Sequence, residues 1–142
     1  MAIQDLTYYT LSDLVVHEMD PSVGYARKVI TLNFSAAADA SAVRMGTVVA
    51  KAAADTTYHK AVPADLTTAG TRFAVVFGDC YSWKPVFSMT AGQNAQAVAF
   101  VRDEVILKDW LIKKHNTQFN AAQIETLKGL LEAQGVLVEI SL

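Results

Sequence analysis

A chain of 142 residues that is 52% hydrophobic and 18% charged has the length of one domain and too much apolar content to stay disordered. Its net charge of −2 and its scattered Lys and Arg, with Lys113-Lys114 the densest pair, argue against a nucleic-acid surface, which needs a basic patch or stripe. Apolar runs such as "FAVVFG" are far too short to cross a bilayer, and the opening "MAIQDLTYYT" lacks the basic start and apolar core of a secretory signal, so the expected setting is a cytoplasm or whatever that cytoplasm assembles.

Residues 1–27 carry no sustained period. They hold Tyr8-Tyr9, an apolar patch at Leu14 to Val16, and turn chemistry in "DPSVG" from Asp20 to Gly24. The expectation is an extended N-terminal arm over 1–27, leading into a single domain over 28–142. Apolar side chains on an arm with little core of its own call for a covering partner. Leu6, Tyr8, Tyr9, Leu11 and Leu14 are therefore its candidate contact residues. Trp83 and Trp110 are candidate interface residues elsewhere, on the same enrichment of large aromatics at interfaces.

"KVITLNF", from Lys28 to Phe34, alternates as a strand, with Ile30, Leu32 and Phe34 on one side. "SAAADASAVRM" is compatible with a short helix or a loop. Gly46 then opens "GTVVAKA", where a glycine before a β-branched run suits a corner; a phosphate loop would need more glycines and a following helix. Residues 53–70 read as loop and turn, "TRFAVVFGD" as a strand over Thr71 to Asp79, and "CYSWKPVFSMTAGQN" as irregular. "AQAVAFVRDEVILKDWLI" reads as two strands with a bend near Asp103-Glu104. Asn120 is a good N-cap, Ile124, Leu127, Leu130 and Leu131 share a helical face, and Gly135 is placed to end that helix. "VLVEISL" closes the chain as an alternating strand, with Val136, Val138, Ile140 and Leu142 on one side.

No chemistry-bearing constellation emerges from spacing. Cys80 has only His115 downstream and nothing to mark it as a partner, so an apolar filler is the expected role. Asp20-Pro21-Ser22-Val23-Gly24 lacks the first glycine and the strand-to-helix setting of a nucleophile elbow. His17, His59 and His115 show no metal-ligand spacing, and Asp103-Glu104 would point to opposite faces of a strand. The expectation is a protein without catalytic residues, metal or cofactor.

Two blocks resemble the head decoration (cement) proteins of tailed phages, the lambda-type family. In "HEMDPSVGYARKVITL" followed by "GTVVAKA", Glu18, Gly24, Arg27, Thr31 and Gly46 match that family's pattern. In "AVAFVRDEVILKDWLI" followed by the helix and "GVLVEI", Val101-Arg102, Gly135 and Val138 match. Together the blocks cover about half the chain, in the family's order; the stretch from about Ala53 to Asn94 matches poorly. The resemblance implies an α+β fold, mostly β, with a mixed, barrel-like sheet of the β-tulip type and one C-terminal helix. It implies a homotrimer on the exterior of an icosahedral head, assembled in the host cytoplasm. There it would bind the major capsid protein after shell expansion and clamp it against packaged DNA. No enzyme activity, direct nucleic-acid contact or membrane contact is implied. The alternatives are another virion subunit, of tail tube or head completion, or a small ligand-binding or enzymatic β domain.

Overall fold

The computed structural model describes residues 11–18, 27–79, 86–102 and 105–139. In chain order its elements are α1 (Leu11–Leu14), β1 (Val15–Glu18), β2 (Arg27–Asn33), α2 (Ala37–Ala40), β3 (Val43–Arg44), β4 (Val48–Lys51), β5 (His59–Lys60), a 3-10 turn (Pro63–Leu66), β6 (Arg72–Asp79), β7 (Val86–Phe87), β8 (Asn94–Phe100), β9 (Val105–Lys108), α3 (Asp109–His115), α4 (Ala121–Ala133) and β10 (Val136–Glu139). The architecture is α+β and mostly β. Among the described residues no helix is long and apolar enough to cross a membrane.

The central sheet has the order β2-β8-β6-β4-β5, with every neighbouring pair antiparallel. Its ladders leave it open, but its two edges touch at one point. Tyr58, just before β5, donates its N–H to Thr31 O at 2.9 Å and accepts from Asn33 N at 2.8 Å. The inner strands are buried on both faces, which is why "VVA", "FAVVFG" and "AVAF" are continuous apolar runs and not alternating ones. One face, with Val48, Ala50, Phe73, Val75 and Phe100, packs into a core shared with α3, α4 and a smaller sheet of order β1-β9-β10. The other face, with Ile30, Leu32, Val49, Ala74, Val76, Ala97 and Ala99, packs with Phe34, Ala40 and Val43 into a second core.

The C-terminal unit follows local rules closely. Asn120 caps α4 by accepting from Gln123 N at 2.9 Å, and the Gln123 side chain returns a bond to Asn120 N at 2.9 Å, a reciprocal capping box. Ile124, Leu127 and Leu131 are buried on its inner face, and Leu130 packs beside them. Gly135 ends the helix with φ +86°. The chain then enters β10, which lies parallel to β9, so α3 and α4 together form the crossover between two parallel neighbours.

Three expectations are corrected. The helix at the C-terminus is not the only one, because "KDWLI" does not continue a strand. β9 ends at Lys108 and α3 begins at Asp109. Asp109 in the first turn and Lys113, Lys114 and His115 in the last suit the helix dipole. Buried Asp109 also accepts from Lys113 Nζ at 2.7 Å and lies 3.4 Å from Lys128 Nζ, tying α3 to α4. Second, the chain up to residue 27 is not uniformly an arm. β1 pairs antiparallel with β9 through a bulge between Val15 and His17, and so belongs to the folded body. Third, Leu14 is not an exposed arm residue: it is 0% exposed within the main core.

Gly46 is the corner that the sequence suggested. It has φ +92°, and a Cβ placed there would sit 3.0 Å from Leu111 Cβ and 3.2 Å from the Leu111 carbonyl carbon. Both the left-handed backbone and the close helix demand glycine. Gly46→Ala is expected to cost about 2 kcal/mol, from backbone strain and overpacking together. Thermal unfolding of the variant checks this, and an unchanged melting temperature would contradict it.

Candidate functional site

The sheet gathers cations at one end. Lys28 lies near the start of β2, Lys51 at the end of β4, Arg72 at the start of β6, and Arg102 just after β8. The antiparallel order brings these four strand ends together. By the two-residue period, Lys28, Lys51 and Arg72 share the face of Ile30, Val49 and Ala74. Four of the chain's twelve Lys and Arg thus line one hollow of about 200 Å³, with Tyr58 and Gln134 and, among the described residues, no carboxylate in the lining.

Lys51 and Arg72 stand directly opposite each other in the β4–β6 ladder, where like charges destabilise a pair. Lys51 Nζ is relieved by donating to Asp55 O at 3.2 Å and by lying 5.6 Å from the Tyr58 ring centroid. Burial pushes the Tyr58 hydroxyl above its ordinary pKa, and the nearby Arg72 charge pulls it partly back. Gln134 closes the hollow from the helix side. Its amide accepts from Phe73 N at 2.9 Å and donates to Phe73 O at 2.7 Å, mimicking a strand partner at the start of β6. Such a site suits carboxylates presented by a partner.

Of the residues expected from sequence to make contacts, only Leu14 and Trp110 have described side chains. Leu6, Tyr8, Tyr9, Trp83 and Cys80 lie outside the described residues, as do the side chains of Leu11 and His17. Leu14 faces the core. Trp110 is 36% exposed and donates from Nε1 to Asp13 O at 2.7 Å, so it pins α1 to α3 while offering part of its ring to the surface. His59 Nε2 is 2.8 Å from Asp65 Oδ2, and His115 Nδ1 donates to Met45 O at 2.7 Å. No group of three His, Cys, Asp or Glu side chains converges as a metal site among the described residues. The cation-lined hollow was missed from sequence because its four members are spread over 75 positions of chain order, from Lys28 to Arg102. The available signal was that each flanks a predicted strand.

No protein-family model matches the chain, and neither a curated protein nor a solved structure does.

Proposed function

We propose that the chain is a structural virion protein of the capsid-decoration kind, with the β-tulip form of the α+β fold. In this reading it binds the major capsid protein on the outer surface of an expanded phage head as a homotrimer, and acts through protein contacts, with no enzymatic step and no cofactor. The observation that carries the reading is β1. Beyond the short helix α1, the chain that follows the Tyr8-Tyr9 segment is laid down as an outer strand of the smaller sheet, paired among the described residues with β9 alone. Val16 on it is 55% exposed. An anchored outer strand can add a partner strand through main-chain hydrogen bonds, while side chains beside it supply selectivity. Three such contacts in a trimer raise the effective concentration of each, so modest single contacts give a long-lived clamp. The cation-lined hollow supplies a second contact, for acidic side chains of the coat. Gly46 and Gly135, two of the glycines that carry the resemblance, both turn the chain at positive φ just before a strand.

Co-sedimentation with expanded and unexpanded heads of the phage that encodes the chain tests this. Saturable occupancy of expanded heads is expected. Tyr8→Ala with Tyr9→Ala should weaken it by about 1–2 kcal/mol per residue if both are hot spots, and Lys51→Glu with Arg72→Glu should weaken it independently. Absence from heads together with recovery in purified tails would replace decoration with a tail-tube role.

A further inference from the structure

The two edges of the central sheet meet at Tyr58 and then part. Tyr58 bonds Thr31 O and Asn33 N, so the odd-numbered residues of β2 turn their main-chain groups away from β8. The β2–β8 register runs unbroken from Asn33 to Arg27, which carries that alternation to Val29. The Val29 N–H and C=O therefore also point outward, and no main-chain group among the described residues bonds them there. Val29 is 52% exposed. The cation-lined hollow opens beside this stretch, with Lys28 on the β2 side and Lys51 and Tyr58 on the other. Lys28 and Arg72 form no ion pair among the described residues, and Lys51 donates to a carbonyl, not to a carboxylate. Lys28 and Arg72 are exposed, so an incoming group can reach their charged ends.

We infer that this edge and its hollow together take an extended acidic segment of a partner protein. A strand added along β2 would exchange main-chain hydrogen bonds with Val29, and its side chains would alternate between the two faces. On the face of Lys28 they enter the hollow, where carboxylates meet Lys28, Lys51 and Arg72 and offset the repulsion between the last two. On the opposite face an apolar side chain covers Val29. The segment defined in this way alternates acidic and apolar residues, with carboxylates at i and i+2, about 7 Å apart. A nucleic-acid backbone could satisfy the cations, but its phosphates only accept hydrogen bonds and have nothing to donate to the Val29 carbonyl. The inference rests on the reading of the hollow as a contact for a partner's carboxylates; it does not require that partner to be a capsid.

Fluorescence anisotropy of the full chain with labelled, end-capped peptides tests it. The peptides are an alternating Glu-Val-Glu-Val-Glu, its block isomer Glu-Glu-Glu-Val-Val, and the alternating peptide with Gln in place of Glu. Saturable binding of the alternating acidic peptide is expected, with the block isomer and the Gln peptide each weaker by about tenfold or more. Lys28→Gln with Arg72→Gln should weaken it about tenfold, and added salt should weaken it further. N-methylation along the alternating peptide keeps its charge, leaves the protein unaltered and should abolish binding. The inference is overturned by absence of binding, by a block isomer that binds equally well, or by an N-methylated peptide that does. It is also overturned if inorganic phosphate or a DNA duplex binds more tightly than the peptide, or if the free chain self-associates and Lys28→Glu dissociates it, which would make a second copy the occupant. Peptide binding without occupancy of phage heads supports the inference and removes the capsid reading; head occupancy without peptide binding removes the inference alone.

Discussion

Leu14→Ala is expected to destabilise the protein by about 2–5 kcal/mol, a large part of the roughly 5–15 kcal/mol that holds a domain of this size folded. Leu14 is 0% exposed and belongs to the same core as Leu107, Leu111 and Leu131. Its place is secured from both sides: β1 begins at the next residue and pairs Val15 with Leu107, and Trp110 bonds the carbonyl of the residue before it. The site cannot collapse easily around a missing side chain, because backbone on either side is tied to another element. Deleting residues 1–16 should cost at least as much, since it removes Leu14 and the first half of β1 as well. Urea denaturation with an unchanged m-value would give the comparison. A Leu14→Ala variant within about 0.5 kcal/mol of the parent would show that this segment is not part of the core.

Asn116→Ala is expected to cost about 3–5 kcal/mol, for a polar reason. Asn116 is 0% exposed. Its Oδ1 accepts from Val48 N at 2.8 Å, and its Nδ2 donates to Gly46 O at 2.9 Å and to Ile112 O at 2.6 Å. One side chain therefore joins the end of α3 to the Gly46 corner and the first residue of β4. Alanine would leave the Val48 N–H and the Gly46 carbonyl buried without partners, at about 1–3 kcal/mol each, and would open a small void. Asn116→Asp separates the two halves of the network: it keeps an acceptor for Val48 N but loses both donations and buries a charge. It should be at least as destabilising at neutral pH. Chemical denaturation of the two variants checks this, and a loss below about 1 kcal/mol for alanine would mean that water replaces the amide.

The elements that were legible in the sequence are those whose causes are local. β2 was readable from the alternation of Ile30, Leu32 and Phe34, all three of them buried. α4 was readable from Asn120, its apolar face and Gly135, although the partner in its capping box, Gln123, went unnoticed despite standing at the third helical position. α3 was not legible. "VILKDWLI" is apolar enough for a strand throughout, and only the helix-supporting charges from Asp109 to His115 distinguish its second half.

The contacts that make the candidate sites belong to a different class. Lys51 and Arg72 face each other because β4 and β6 pair in one register; a slip of one residue would put the two on opposite faces of the sheet. Lys28 joins them only because β2 closes back on Tyr58 from the far side of the sheet. By itself the sequence determined where α4 starts and stops, which side of β2 is buried, and that Gly46 and Gly135 turn the chain, since capping, side-chain period and left-handed backbone act over a few residues. The burial of Leu14, the bonds of Asn116 and the gathering of cations were decided by tertiary structure alone, because each depends on partners tens of residues away whose approach no local preference encodes.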